Sequence, residues 1–95
     1  MNIKEYEIEY SESFEADIQQ HKAAGNKSIL VKIEILTNEL REHPTTGTGK
    51  PEALKGNRKG QWSRRITRQH RLIYEINKDI VTVLMLTAWG HYDDK

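Results

Sequence analysis

Hydrophobic and polar residues alternate near the N-terminus of the chain. Across residues 3–10, Tyr6, Ile8 and Tyr10 fall on one side of an extended backbone and three glutamates fall on the other. A period of two is the pattern of a strand with one buried face. The chain is therefore predicted to begin with a half-buried strand.

The hydrophobic spacing then changes to that of helices. A first helix is predicted from a serine N-cap, Ser11 or Ser13, to about Ala24, where a Gly-Asn pair favours a turn. From Lys27 to about Glu42 the apolar residues recur every three or four positions, which predicts an amphipathic helix. A His-Pro pair follows and is predicted to end this helix, because the residue before a proline avoids helical geometry.

The second half of the chain is predicted to be a loop and three strands. Residues 43–60 are rich in Gly, Pro and Thr and are predicted to form a loop. The strands are predicted at Trp62–Thr67, His70–Asn77 and Ile80–Trp89, with a tight hairpin before the third. The third strand is almost continuously apolar, which favours a central place in the sheet. The whole chain is thus predicted to be one α+β domain, residues 1–95, in which a strand and two helices precede a three-stranded antiparallel meander that completes a mostly antiparallel sheet.

Charge is distributed very unevenly along the sequence. The segment from Lys50 to Arg71 holds eight Lys/Arg residues and one acid and has a net charge of +7, whereas residues 1–49 carry −4 and residues 72–95 carry −2. A basic band that contains a tryptophan favours binding to the phosphates of a nucleic acid. Its candidate RNA contacts are Lys50, Lys59, Trp62 and Arg64.

Composition excludes several other classes of protein. The chain has no cysteine, so disulfides and thiolate metal sites are excluded, and no spacing of histidines and carboxylates predicts a metal site. The N-terminus lacks the apolar run of a signal peptide, and no apolar segment approaches the length of a membrane span. We expect a soluble cytoplasmic protein that needs no cofactor and does not bind membranes.

One acid in the basic band raises the question of catalysis. Cleavage of RNA by its own 2′-hydroxyl requires a base, an acid for the departing 5′-oxygen, and cations for the charge on the phosphorus. Glu52, His91, Arg65 and Arg71 are residue types that can supply these functions. Singly, each is more commonly a solvated surface residue, and composition does not assign the roles. His21 and His43, at predicted helix ends, are not expected to be catalytic.

Four motifs occur in an order that is much more specific than the composition. They are GKPEALK, WSRRIT, HRLIYEI and a terminal HY. With them the chain closely resembles the YoeB/Txe toxins of the RelE superfamily, the toxin halves of bacterial type II toxin–antitoxin modules. The resemblance is strong from Gly47 to Tyr92 and extends to the N-terminal half in the order of elements. It implies a RelE-like, microbial-RNase-type fold and a metal-independent endoribonuclease that cleaves mRNA in the decoding site of the ribosome.

The resemblance also implies roles for individual residues. Glu52 of GKPE is the expected general base, and His91 is the expected general acid. Arg65 and Arg71 are expected to stabilise the transition state. Tyr92 is expected to orient or stack on a nucleotide.

Lys55, which ends the first motif, is expected at the scissile phosphate. The expected partners are the ribosome, its mRNA, and a cognate YefM/Axe-like antitoxin, and the resemblance favours a homodimer.

Two features depart from the family pattern, and two other functions remain open. Asp93-Asp94-Lys95 follow the His-Tyr pair, adding two carboxylates that can compete with phosphate for the arginines. Arg68-Gln69 stand where relatives tend to carry an acid before the HR motif. The alternatives are a gyrase-poisoning, ParE-like toxin without catalysis and a plain RNA-binding module; neither requires an acid and a base.

Overall fold

The computed structural model describes residues 5–90 and confirms the α+β fold. Two helices are present, α1 at Glu12–Ala23 and α2 at Lys27–Leu40. The strands are β1 at Glu7–Tyr10, β2 at Glu52–Ala53, β3 at Gln61–Arg65, β4 at Arg71–Asn77 and β5 at Thr82–Thr87. A short 3₁₀ helix, Gly56–Arg58, separates β2 from β3. None of the helices among residues 5–90 is long and apolar enough to cross a membrane.

All five described strands form one sheet in the order β1-β5-β4-β3-β2. The pair β1 and β5 is parallel, and the other neighbouring strands are antiparallel. The apolar β5 is enclosed on both sides, by β1 and β4, although β4 rather than β5 is the middle strand of the five. Both are interior strands, and a strand with neighbours on both edges suits the apolar sequence of β5.

The prediction that residues 43–60 form only a loop is wrong at β2. Glu52 and Ala53 pair with Ser63 and Trp62 and add a two-residue edge strand to the sheet. A segment this short, directly after a proline, has no periodicity of its own. Its strand geometry comes from hydrogen bonding to β3, a tertiary effect that local sequence does not encode.

The ends of several helices and strands differ from the predicted ends, in most cases because local hydrogen bonds intervene. Ser11 is the N-cap of α1, since its Oγ accepts a hydrogen bond from the Phe14 amide at 3.0 Å. Helix α2 ends at Leu40, two residues earlier than predicted. Strand β3 ends at Arg65 because the amides of Ile66 and Thr67 turn to the His70 carbonyl. Strand β5 begins at Thr82, after a turn whose amides bond to the Asn77 side chain, and it ends at Thr87 instead of Trp89.

The helices cover one face of the sheet. Alternating residues of β3, β4 and β5 point to opposite faces. Strand residues on one face pack with apolar residues of the helices and of the adjoining segments. Together they form the main buried cluster: Phe14, Ile33, Leu36, Leu40, Ile66, Leu72, Tyr74, Val83, Met85 and Ala88. The other face carries the intervening residues, which include Glu52, Ser63, Arg65 and Arg71 by their register.

Arg64, on the helix side of β3, is fully buried and bonded along its whole guanidinium. Its Nε donates to the Tyr74 hydroxyl at 3.1 Å, and its Nη1 donates to Glu39 Oε1 at 2.8 Å. The remaining acceptors are loop carbonyls, those of His43, Thr46 and Thr48. The prediction that Arg64 contacts RNA is therefore replaced by a structural role, because the guanidinium is enclosed and its donors are engaged inside the protein.

Two further contacts complete this network around the loop. The Tyr74 hydroxyl donates to the Pro44 carbonyl at 2.8 Å, and burial raises the pKa of Tyr74, partly offset by the nearby Arg64. Glu39 accepts hydrogen bonds from the amide and the hydroxyl of Thr48 at 2.9 and 2.6 Å. Residues 43–48 are thereby attached to both the sheet and α2, just before Glu52.

We expect Arg64→Leu to lower the free energy of unfolding by about 3–5 kcal/mol, since it leaves a carboxylate and several carbonyls without their donor. Arg65→Leu is the matched control, because Arg65 is adjacent but exposed, and it should change stability by about 0.5 kcal/mol or less. Urea unfolding measures both. Equal losses in the two variants would contradict the structural role of Arg64.

A second prediction concerns the loss of folding stability at acidic pH. Partial burial alone would raise the pKa of Glu39, but hydrogen bonds from Thr48 and Arg64 outweigh it and lower the pKa below the ordinary 4.5. A lowered folded-state pKa contributes stability above the ordinary value and loses it as pH falls through the folded value. Between pH 6 and pH 3, wild type should therefore lose more stability than Glu39→Gln in urea titrations. Parallel losses would show that Glu39 does not contribute to acid sensitivity.

Candidate active site

Glu52 reaches the sheet through the short strand β2. Its register partner is Ser63 of β3, so the two side chains lie on the same face. The Glu52 side chain remains 57% exposed. A carboxylate in this position is fixed at its backbone and accessible to a ligand on the surface.

The loop before Glu52 has a conformation that requires its glycines. A Cβ at Gly49 would lie 2.9 Å from the Arg65 carbonyl oxygen, and Gly49 has a φ of +86°. The Gly49 carbonyl accepts a hydrogen bond from the Arg65 amide at 2.7 Å. Lys50 follows with a φ of 52°, which is unusual for a residue with a side chain. The GKPE motif thus allows the loop to lie against β3 and brings Glu52 onto the sheet.

Arg71 opens β4 and lies beside Glu52. Its Nε donates to Ser63 Oγ at 2.6 Å, and its Nη2 lies 3.6 Å from Glu52 Oε1. The Arg71 side chain is 13% exposed, so the guanidinium is held largely within the surface. Ser63, fully buried, is a site residue that the sequence analysis missed. Its position directly opposite Glu52 becomes informative only after β2 is known.

Arg65 is the direct cross-strand partner of Arg71. Both side chains belong to the same face, and Arg65 is exposed. Like charges placed opposite each other are unfavourable in a sheet. A neighbouring carboxylate offsets part of this repulsion, and a bound anion would offset more of it. The arrangement therefore favours a ligand with negative charge, such as a phosphodiester.

The remaining predicted RNA contacts occupy different environments. Lys50, Lys55 and Lys59 are exposed. Trp62 is half-buried and packs against the helix-side cluster, so it contributes to the core. The three lysines are thus accessible to phosphates at the surface, and their contact with RNA remains a prediction.

His91 and Tyr92 lie outside the described residues. The described chain ends at Gly90, whose carbonyl accepts a hydrogen bond from the Arg71 amide at 2.9 Å. The segment that precedes His91 in sequence is therefore bonded to the residue at the centre of the candidate site. Among residues 5–90, no group of three or more histidine or carboxylate side chains could hold a metal ion.

Comparison with known proteins decides the family. Residues 10–92 match the family described as YoeB-like toxin of bacterial type II toxin–antitoxin system. The chain belongs to this family of toxins. The match includes every site residue named above, from Glu52 to Tyr92.

Individual relatives agree with this assignment. Toxin YoeB of Escherichia coli K12 is 45% identical over 67 residues, which are 70% of this chain and 77% of that protein. The YoeB/ParE toxin from Agrobacterium tumefaciens superposes with a TM-score of 0.84 at 30% identity, covering 90% of this chain and 99% of that one. A YoeB–YefM complex from Staphylococcus aureus gives a TM-score of 0.77 at 32% identity, covering 92% and 98% of the two chains.

Proposed function

We propose that this toxin is a ribosome-dependent mRNA endonuclease that blocks translation. The observation that carries the proposal is the contact of 3.6 Å between Glu52 and Arg71 on the sheet face opposite the helices, with Arg65 directly across from Arg71. A carboxylate beside two cations matches a proton acceptor next to the phosphate whose ester it helps to cleave. A purely blocking protein has no need of this combination.

The proposed reaction begins with Glu52. Its exposed carboxylate takes the proton from a ribose 2′-hydroxyl, and the resulting oxygen attacks the adjacent phosphorus. A bond forms between the 2′-oxygen and phosphorus, and the bond to the 5′-oxygen breaks. His91 donates a proton to that leaving oxygen, so the products are a 2′,3′-cyclic phosphate and a 5′-hydroxyl.

The arginines stabilise the charge that develops during this reaction. Negative charge on the phosphoryl oxygens increases in the transition state, and preorganised cations stabilise it most where they need not reorient. The hydrogen bond from Arg71 to Ser63 restrains one guanidinium in advance. Arg65 approaches from the neighbouring strand, and Tyr92 orients the nucleotide.

The surrounding surface fits a substrate held by the ribosome. The exposed Lys50, Lys55 and Lys59 extend positive charge around Glu52 and suit the phosphates of mRNA and ribosomal RNA. We also propose a cytoplasmic toxin neutralised by a YefM-like antitoxin. A relative from Staphylococcus aureus was solved in complex with YefM and another as a dimer, which supports an antitoxin partner and a homodimer here.

The arginines provide the first test of this proposal. Arg65→Ala and Arg71→Ala should each lower the single-turnover rate of mRNA cleavage on programmed ribosomes by about 10²–10³-fold, because each loses a preorganised cation. Lys78→Ala, an exposed change in the β4–β5 turn, is the control and should cleave at the wild-type rate. Circular dichroism should show native folds throughout. Folded arginine variants with unchanged cleavage would instead favour the RNA-binding or gyrase-poisoning alternatives.

The nucleophile provides a second test. An mRNA with 2′-deoxyribose at the cleaved position should resist cleavage, since it lacks the attacking oxygen. The all-ribose mRNA of the same sequence is the control, and mass spectrometry of its product should identify the 2′,3′-cyclic phosphate. Cleavage of the deoxy substrate at the same bond would mean that water attacks the phosphorus and that Glu52 has another role.

A further inference from the structure

Three aromatic rings from distant parts of the chain meet beside the end of β5. His21 comes from α1, His70 from the turn before β4, and Trp89 from the segment after β5. Ring centroids are 4.9 Å apart for His21 and His70, 4.5 Å for His21 and Trp89, and 4.7 Å for His70 and Trp89. His21 is fully buried and His70 is nearly so. Each of the three rings therefore contacts the other two.

The backbone on both sides of Trp89 is hydrogen-bonded to the same region. The Ala88 carbonyl accepts from His21 Nε2 at 2.9 Å, and the Ala88 amide donates to Asp17 Oδ2 at 2.8 Å. The Gly90 amide donates to His70 Nδ1 at 2.9 Å. With the bond from the Arg71 amide to the Gly90 carbonyl, four hydrogen bonds hold Ala88–Gly90 after β5 has ended at Thr87.

The hydrogen-bond partners define which ring nitrogens of the two imidazoles donate and which accept. A carbonyl only accepts, so His21 Nε2 carries the hydrogen, and its Nδ1 accepts from the Asn26 side chain at 3.1 Å. A backbone amide only donates, so His70 Nδ1 is an acceptor without a hydrogen. With these partners both rings hold the backbone after β5 through fixed hydrogen bonds.

We propose that His21 and His70 are positioning residues: they clamp Ala88–Gly90, the backbone to which His91 is joined in sequence, and proton donation by His91 depends on this clamp. The inference rests on the proposed function, in which His91 is the general acid. A general acid must come within hydrogen-bond reach of the oxygen that it protonates, and displacement by about 1 Å can cost about 10²-fold in rate. His91 is joined directly to Gly90, so the clamp acts one residue from the proton donor.

Isosteric pairs of variants test the clamp. His70→Asn keeps an acceptor for the Gly90 amide, whereas His70→Leu has a similar shape without one. His21→Gln and His21→Met form the equivalent pair for the donor to Ala88. We expect the Leu and Met variants to lose about 10- to 100-fold in single-turnover cleavage at saturation, with little change in half-saturating concentration. The Asn and Gln variants should recover most of this loss.

Three further variants keep the test valid if a histidine variant fails to fold and control for nonspecific loss of activity. Asp17→Leu removes a bond to Ala88 from a half-buried position and should show the same loss of rate, with Asp17→Asn recovering it. His43→Ala is the control, because the His43 side chain is 62% exposed, and it should cleave at the wild-type rate. Loss in folded Asn, Gln and Leu variants alike would overturn the proposed hydrogen-bond clamp.

A double-mutant cycle separates positioning of His91 from other effects. In a His91→Ala background, where the proton donor is already lost, His70→Leu should lower the residual cleavage no further. If His91→Ala is impaired and His70→Leu still costs the same factor there, the positioning role is overturned and the proposed function stands. If His91→Ala cleaves at the wild-type rate, the acid assignment fails, and the positioning role fails with it.

Discussion

The hydrogen bonds of Arg64 are the interaction on which the arrangement of the site depends. A buried guanidinium is costly unless its donors are satisfied. Here the satisfying groups are three loop carbonyls, a phenol and the Glu39 carboxylate. Because these acceptors come from α2, β4 and the loop, folding the arginine into the core brings all three together. The geometry of the loop that leads to Glu52 is therefore set by hydrogen bonds on the helix-covered face of the sheet.

On the opposite face of β3, charged groups repel each other instead of being fully satisfied by hydrogen bonds. Arg65 and Arg71 are placed across from each other, and their mutual repulsion is relieved by Glu52 and by a buried serine that orients one of them. Consecutive arginines thus occupy opposite environments, since the donors of Arg64 are satisfied inside the protein and Arg65 is exposed to solvent. The twofold alternation of a strand is sufficient to separate these environments.

Two networks from different parts of the chain hold segments of backbone that lead to proposed site residues. The Arg64 network positions the loop before Glu52, while His21, His70 and Asp17 hold the backbone that leads to His91. In the proposed reaction, both networks act through the backbone that they hold and not by touching the reacting atoms. This division agrees with the requirement that groups in a reactive site be held by partners that do not themselves react.

The sequence by itself determined the secondary elements with strong periodicity, the charge of the basic band and the family resemblance. Hydrophobic spacing was sufficient for β1, α1, α2 and the β3–β5 meander, because their apolar faces are local patterns. Only the tertiary structure decided that Glu52 lies on a strand, that Ser63 holds Arg71, and that Arg64 is buried while Arg65 is exposed to solvent. Each of these depends on a partner more than five residues away in sequence, and in one sequence nothing in the local pattern identifies such a partner. For the same reason, the contact of His21 with Ala88 could not be predicted, since Ala88 lies 67 residues further along the chain.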